Sequence, residues 1–92
     1  MTYARRTDLS HAEVRDTLRK LGYVVIDTSR VGGGFPDLML CGHDGATVLV
    51  EVKAKTGKLR ASQERFRENW PGRYVVLRSA EEAVQWWREE AA

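Results

Sequence analysis

The chain has 92 residues, 42% of them hydrophobic and 30% charged, with a single cysteine and a net charge of +2. That length suits one domain burying roughly 60–65% of its unfolded surface, and one cysteine excludes an internal disulfide framework. With no apolar run of about 18 residues and no charged-then-apolar leader, neither a membrane span nor a signal peptide is expected, and a cytoplasmic location is.

The charge is unevenly placed. Residues 78–92 carry four acids and two arginines, whereas the remainder carries 13 bases against 9 acids. Eleven of the fifteen bases are Arg, whose planar fork grips phosphate. A polyanionic partner is favoured.

Residues 1–9 show no periodicity and read as a loose N-terminal arm. Ser10 and Glu13 form a capping-box pattern that should open the first helix. Val14, Leu18 and Leu21 then make one apolar stripe, and Gly22 is placed to end the helix in a left-handed conformation. The β-branched run Tyr23-Val24-Val25-Ile26 predicts a strand. After a loop from Arg30 to Gly34, a second strand begins at Phe35 or Pro36. Gly42-His43-Asp44-Gly45 is turn chemistry, so this strand and the next, Thr47 to about Ala54, should form an antiparallel hairpin.

A basic loop follows, with Lys55, Lys58 and Arg60. Ser62 is the expected cap of a second helix in which Gln63, Phe66 and Trp70 share a face, stopped by Pro71-Gly72. Tyr74 to Leu77 is the fourth strand. Ser79 and Glu82 open a third helix lined by Ala80, Ala83, Val84, Trp87 and Ala91. Trp86 lies off that stripe and is a candidate dimer contact. The order is αβββαβα, and the helical crossover into the fourth strand implies a four-stranded mixed sheet of the α/β class.

The chemistry gathers on strands two and three. Glu51 and Lys53 alternate onto one face, roughly 6–7 Å apart, while Val48, Val50 and Val52 take the other. A tight hairpin brings Asp37 alongside Glu51. Two carboxylates that close cannot both stay ionised without a cation between them. Oxygen ligands suit Mg²⁺ or Mn²⁺, which can polarise a phosphoryl oxygen, and Lys53 is placed to offset charge developing on a phosphate. The three charges could instead close into a structural ion set, a costly thing to bury for stability alone. Gly32-Gly33-Gly34 lacks the Gly-Lys-Ser/Thr that would make it a nucleotide loop, and His11 and His43 are too isolated for zinc. No small-molecule cofactor is expected.

Pro36-Asp37, fourteen positions before Glu51-Val52-Lys53, resembles the signature of the PD-(D/E)xK nuclease superfamily, whose restriction-endonuclease-like core has the same element order. The glycine-rich lead into Phe35-Pro36-Asp37-Leu38, with Gly57, Ser62 and Gln63 downstream, is most similar to small stand-alone VRR-NUC domains and then to Holliday junction resolvases. The Val-Arg-Arg of the family's name does not occur. The resemblance implies a metal-dependent DNA endonuclease acting on branched DNA as a homodimer. It implies that Asp37, Glu51 and the Val52 carbonyl bind the metal, with Glu13 (or Asp16) from the first helix completing the shell. Lys53 would position water and Gln63 would support the site. Lys55, Lys58, Arg60 and, from the other side, Arg30 are placed to contact DNA phosphates. The alternatives are a DNA-binding module without turnover and a nuclease active only with a helicase or other partner.

Overall fold

The computed structural model describes residues 2–91, with side chains from Ser10 onward. Its elements run α1 (Thr2–Lys20), β1 (Val25–Asp27), β2 (Leu38–Cys41), β3 (Thr47–Val52), α2 (Ala61–Asn69), β4 (Arg73–Leu77) and α3 (Ala80–Ala91). The predicted order holds throughout.

Two boundaries differ near the start. Helix α1 extends back to Thr2, so Ser10 and Glu13 lie inside it rather than at its cap, and residues 2–9 continue the helix instead of forming a separate arm. At the other end Gly22 has φ 102° and donates its N–H to Arg19 O, while the Tyr23 N–H donates to Leu18 O. This paired closure is a Schellman motif. It occupies the backbone of Tyr23, which is why β1 starts at Val25 and not at Tyr23.

The sheet has order β1-β2-β3-β4. The first two pairings are antiparallel and β3–β4 is parallel, as a helical crossover requires. Between β2 and β3, Gly42 N–H donates to Ala46 O and Gly45 takes φ 84°. A three-residue loop ending in a left-handed glycine is the hairpin expected from that sequence. It sets Leu38 opposite Val50, and so carries Asp37 to the level of Glu51.

Pleating then divides the sheet into two unlike faces. Val25, Leu38, Leu40, Val48, Val50 and Val52 pack with Val14, Leu18 and Ala83 under α1 and α3. The opposite face carries Leu49 and Glu51 and is covered by α2, whose Phe66 ring lies 5.2 Å from Phe35 and 6.4 Å from Tyr74. Trp86 is not an outward contact. It packs against the core, 5.5 Å from the Tyr23 ring.

A polar clamp closes the end of the sheet remote from Glu51. Arg73 donates to Asp44 in the hairpin turn and to Glu90 on α3, and Glu90 also accepts from the Tyr23 hydroxyl at 2.6 Å. The turn, β4, α3 and the segment leading into β1 are thereby tied together.

Leu38, next to Asp37 in the chain and opposite Val50 in the ladder, is fully buried in the core. Leu38→Ala is expected to destabilise the domain by about 2–5 kcal/mol in urea unfolding. A loss under 1 kcal/mol would show that Leu38 contributes little to the packing of the core.

Candidate active site

Asp37 immediately precedes β2, so the ladder has no further main-chain acceptor there. Its own carboxylate takes that place: Val52 N–H donates to Asp37 Oδ2 at 2.9 Å. Behind it, Thr28 N–H donates to the Asp37 carbonyl at 2.8 Å and Thr28 Oγ1 donates to Pro36 O at 2.8 Å. Asp37 is therefore seated by backbone on two strands and cannot swing freely.

Glu51 points from β3 under α2 and is only 2% exposed. Gln63 Nε2 donates to Glu51 Oε2 at 3.0 Å, and Lys53 Nζ stands 3.6 Å from the same oxygen. Oε1 is buried with no hydrogen-bond partner. Burial first, and then the neighbouring Asp37 charge, push the Glu51 carboxyl up to about 7, against the pull of Lys53. The carboxylate is short of positive charge. An orphaned buried oxygen beside a second carboxylate is a donor set that fits a hard divalent cation.

Gln63 is used at both ends. Its Oε1 accepts from the Arg60 N–H at 2.8 Å while its amide nitrogen serves Glu51. The first bond fits only if Arg60 is the N-cap, so α2 opens at Ala61 and the expected cap, Ser62, falls in the first turn. Gly34 makes this approach possible. A Cβ there would lie 2.5 Å from Ser62 O, and φ is +86°. Only glycine lets the loop run so close beneath α2.

The structure brings Asp37, Glu51, Lys53 and Gln63 together, with the Val52 backbone between them. It does not bring Glu13. That residue is exposed on α1, and α1 packs against the opposite face of the sheet from Glu51. Asp16 is also turned outward, paired with Arg15 at 3.0 Å. Among the described residues no group of three or more His, Cys, Asp or Glu is arranged to hold a metal ion. Two carboxylates with water and substrate oxygens still suffice for Mg²⁺, which seldom has an all-protein cage. Lys55, Lys58, Arg60 and Arg30 are all exposed.

One neighbour was not visible as a site residue in the sequence. Tyr74 pairs with Leu49 and so shares the face of Glu51. Its hydroxyl is buried without a partner. Burial and then the Glu51 charge push it up to about 12, so it stays a phenol, with Arg67 5.5 Å above its ring. The signal lay in the β3–β4 register, which the crossover hides.

The raised Glu51 carboxyl has a consequence for metal-free protein. The folded chain keeps this proton up to about 7, whereas the ordinary value is 4.5. Between those limits the folded state binds more protons, so its stability falls as pH rises. The loss is on the order of 3 kcal/mol. In chelator, thermal midpoints should drop from pH 5 to pH 8, and Glu51→Gln should drop less, the difference isolating this group. Parallel pH profiles for the two proteins would contradict it.

Comparison with known proteins bears on the fold and the family. A sequence model of the family described as "VRR-NUC domain" matches residues 3–81. A solved structure titled "VRR_NUC domain" superposes with a TM-score of 0.72 at 24% identity, covering 86% of this chain and 90% of that one. No curated protein matches. At that identity the structural likeness speaks for the fold, and the match over most of the sequence for the family. The chain belongs to the VRR-NUC domain family, a nuclease-type branch of the PD-(D/E)xK superfamily with a restriction-endonuclease-like fold.

Proposed function

We propose that this domain is a divalent-metal-dependent endonuclease that hydrolyses DNA phosphodiester bonds, with a preference for branched DNA such as a four-way junction. Glu51 carries the reading: a carboxylate 2% exposed, with one oxygen lacking any donor and Asp37 beside it. Asp37, Glu51 and the Val52 carbonyl would hold Mg²⁺ or Mn²⁺. When bound, the ion would supply Lewis-acid polarisation of a phosphoryl oxygen.

The chain's own groups do the rest. Lys53, its side chain 15% exposed and its Nζ 3.6 Å from Glu51 Oε2, reaches the opening of the site. There it offsets charge gathering on the phosphate and holds the attacking water. Gln63 keeps Glu51 from rotating. Exposed Lys55, Lys58, Arg60 and Arg30 meet flanking phosphates, contacts that position DNA without reading its sequence.

A domain this small has little surface for reading bases, which favours recognition of DNA shape. The proposal includes a second copy of the chain, since symmetric cutting of a junction needs two sites. Ile26 on the edge strand β1, Val24 just before it and Val31 in the loop that follows, each at least half exposed, offer apolar surface for that pairing.

The test uses purified protein with branched and linear DNA, with and without Mg²⁺ or Mn²⁺. Cleavage is expected only with metal and faster on branched DNA. Asp37→Asn, Glu51→Gln and Lys53→Ala should each slow it by about 10²- to 10³-fold while DNA is still bound. Binding with no metal-dependent cleavage would leave a DNA-binding module, and cleavage appearing only with an added helicase would make the domain partner-dependent. Full cleavage by Lys53→Ala would contradict the role given to that residue.

A further inference from the structure

Strand β3 ends at Val52, so Lys53 stands one residue beyond the ladder. Its N–H donates to Leu77 O at 3.2 Å, the last main-chain bond on that side. The chain then folds into a turn in which Gly57 N–H donates to Ala54 O at 3.0 Å. This turn lies against the lysine stem: a Cβ on Gly57 would be 3.7 Å from Lys53 Cβ.

Arg78, the first residue after β4, reaches into the turn. Its Nη1 donates to Ala54 O at 2.7 Å and to Gly57 O at 2.6 Å, with Lys55 O more distant at 3.5 Å. Nη1 carries two protons, so the two short bonds use both. Apart from the turn's own bond, Arg78 donates the hydrogen bonds that hold residues 54–57 to the rest of the domain, among the described residues. Arg78 is itself anchored: its N–H donates to Glu82 Oε1 at 2.9 Å, and the Glu82 N–H donates to Ser79 Oγ at the start of α3.

We propose that Arg78 is a positioning residue for Lys53. Its guanidinium pins both ends of the 54–57 turn to the end of β4, which fixes the backbone from which Lys53 extends towards Glu51. The effect on catalysis rests on the nuclease reading above; the effect on the turn does not. Both Nη1 protons go to carbonyls of the turn, and it is through the turn that this nitrogen acts on Lys53.

The functional test is single-turnover cleavage at saturating DNA with Mn²⁺, comparing the native chain, Arg78→Ala, Lys53→Ala and the double variant. Arg78→Ala should slow cleavage by about 10- to 100-fold when Lys53 is present and add nothing when it is absent. Arg78→Lys, which keeps the charge but not the reach, should fall between and guards against loss of folding. Equal slowing in both backgrounds, or none in either, would overturn the proposal.

Amide hydrogen exchange supplies a readout that needs no cleavage. In Arg78→Ala and Arg78→Lys the Lys53 and Gly57 amides should exchange faster while those of Leu49 and Val50 in the ladder keep their protection. Unchanged exchange at Lys53 and Gly57 would overturn the proposal even if the native chain cut DNA. If the native chain cut nothing, the nuclease reading would fail and the exchange result would still decide whether Arg78 holds the turn.

Discussion

Burying Glu51 beside Asp37 is the constraint on which the rest depends. A carboxylate removed from water costs several kcal/mol unless it is paired and fully hydrogen-bonded. Here it has one amide donor, one ammonium at 3.6 Å and an oxygen with no partner. Stability alone would favour an apolar residue at this position, on the face that Leu49 shares beneath α2. The arrangement makes physical sense as a place prepared for positive charge.

Most of the surrounding structure can be traced to keeping that place in shape. The hairpin turn sets the register that brings Asp37 level with Glu51, and Val52 N–H then fixes the Asp37 carboxylate as though it were a ladder carbonyl. Gly34 lets the loop pass under Ser62, and so allows α2 to lower Gln63 onto Glu51. The apolar core lies on the other face of the same strands. Alternation along β3 therefore separates what stabilises the domain from what serves the site. The cost of the charges is met by packing one residue away.

How much of this was legible in the sequence follows from what each feature depends on. The hairpin, the element order and the Asp37–Glu51–Lys53 grouping depend on local turn chemistry and period-two alternation, and both are written plainly in residues 36–53. The start of α1 was misplaced because Ser10 and Glu13 imitate a cap while the preceding residues carry no apolar stripe. Glu13 was expected in the site because a family likeness supplied it. Nothing local says which face of the sheet a helix covers, and α1 covers the face away from Glu51. Tyr74 and Arg78 were not legible as site residues, since their neighbours are set by the β3–β4 pairing across a helical crossover. Gln63 was legible, though its bond to the Arg60 N–H moved the helix start away from Ser62.

The most direct measurement is anomalous diffraction from crystals of the protein soaked in Mn²⁺. One manganese peak between the Asp37 and Glu51 carboxylates, absent in Glu51→Gln, is the predicted result. Well-ordered crystals with no peak there, or with manganese held only at other carboxylates, would contradict the claim that these two side chains are brought together to hold a cation.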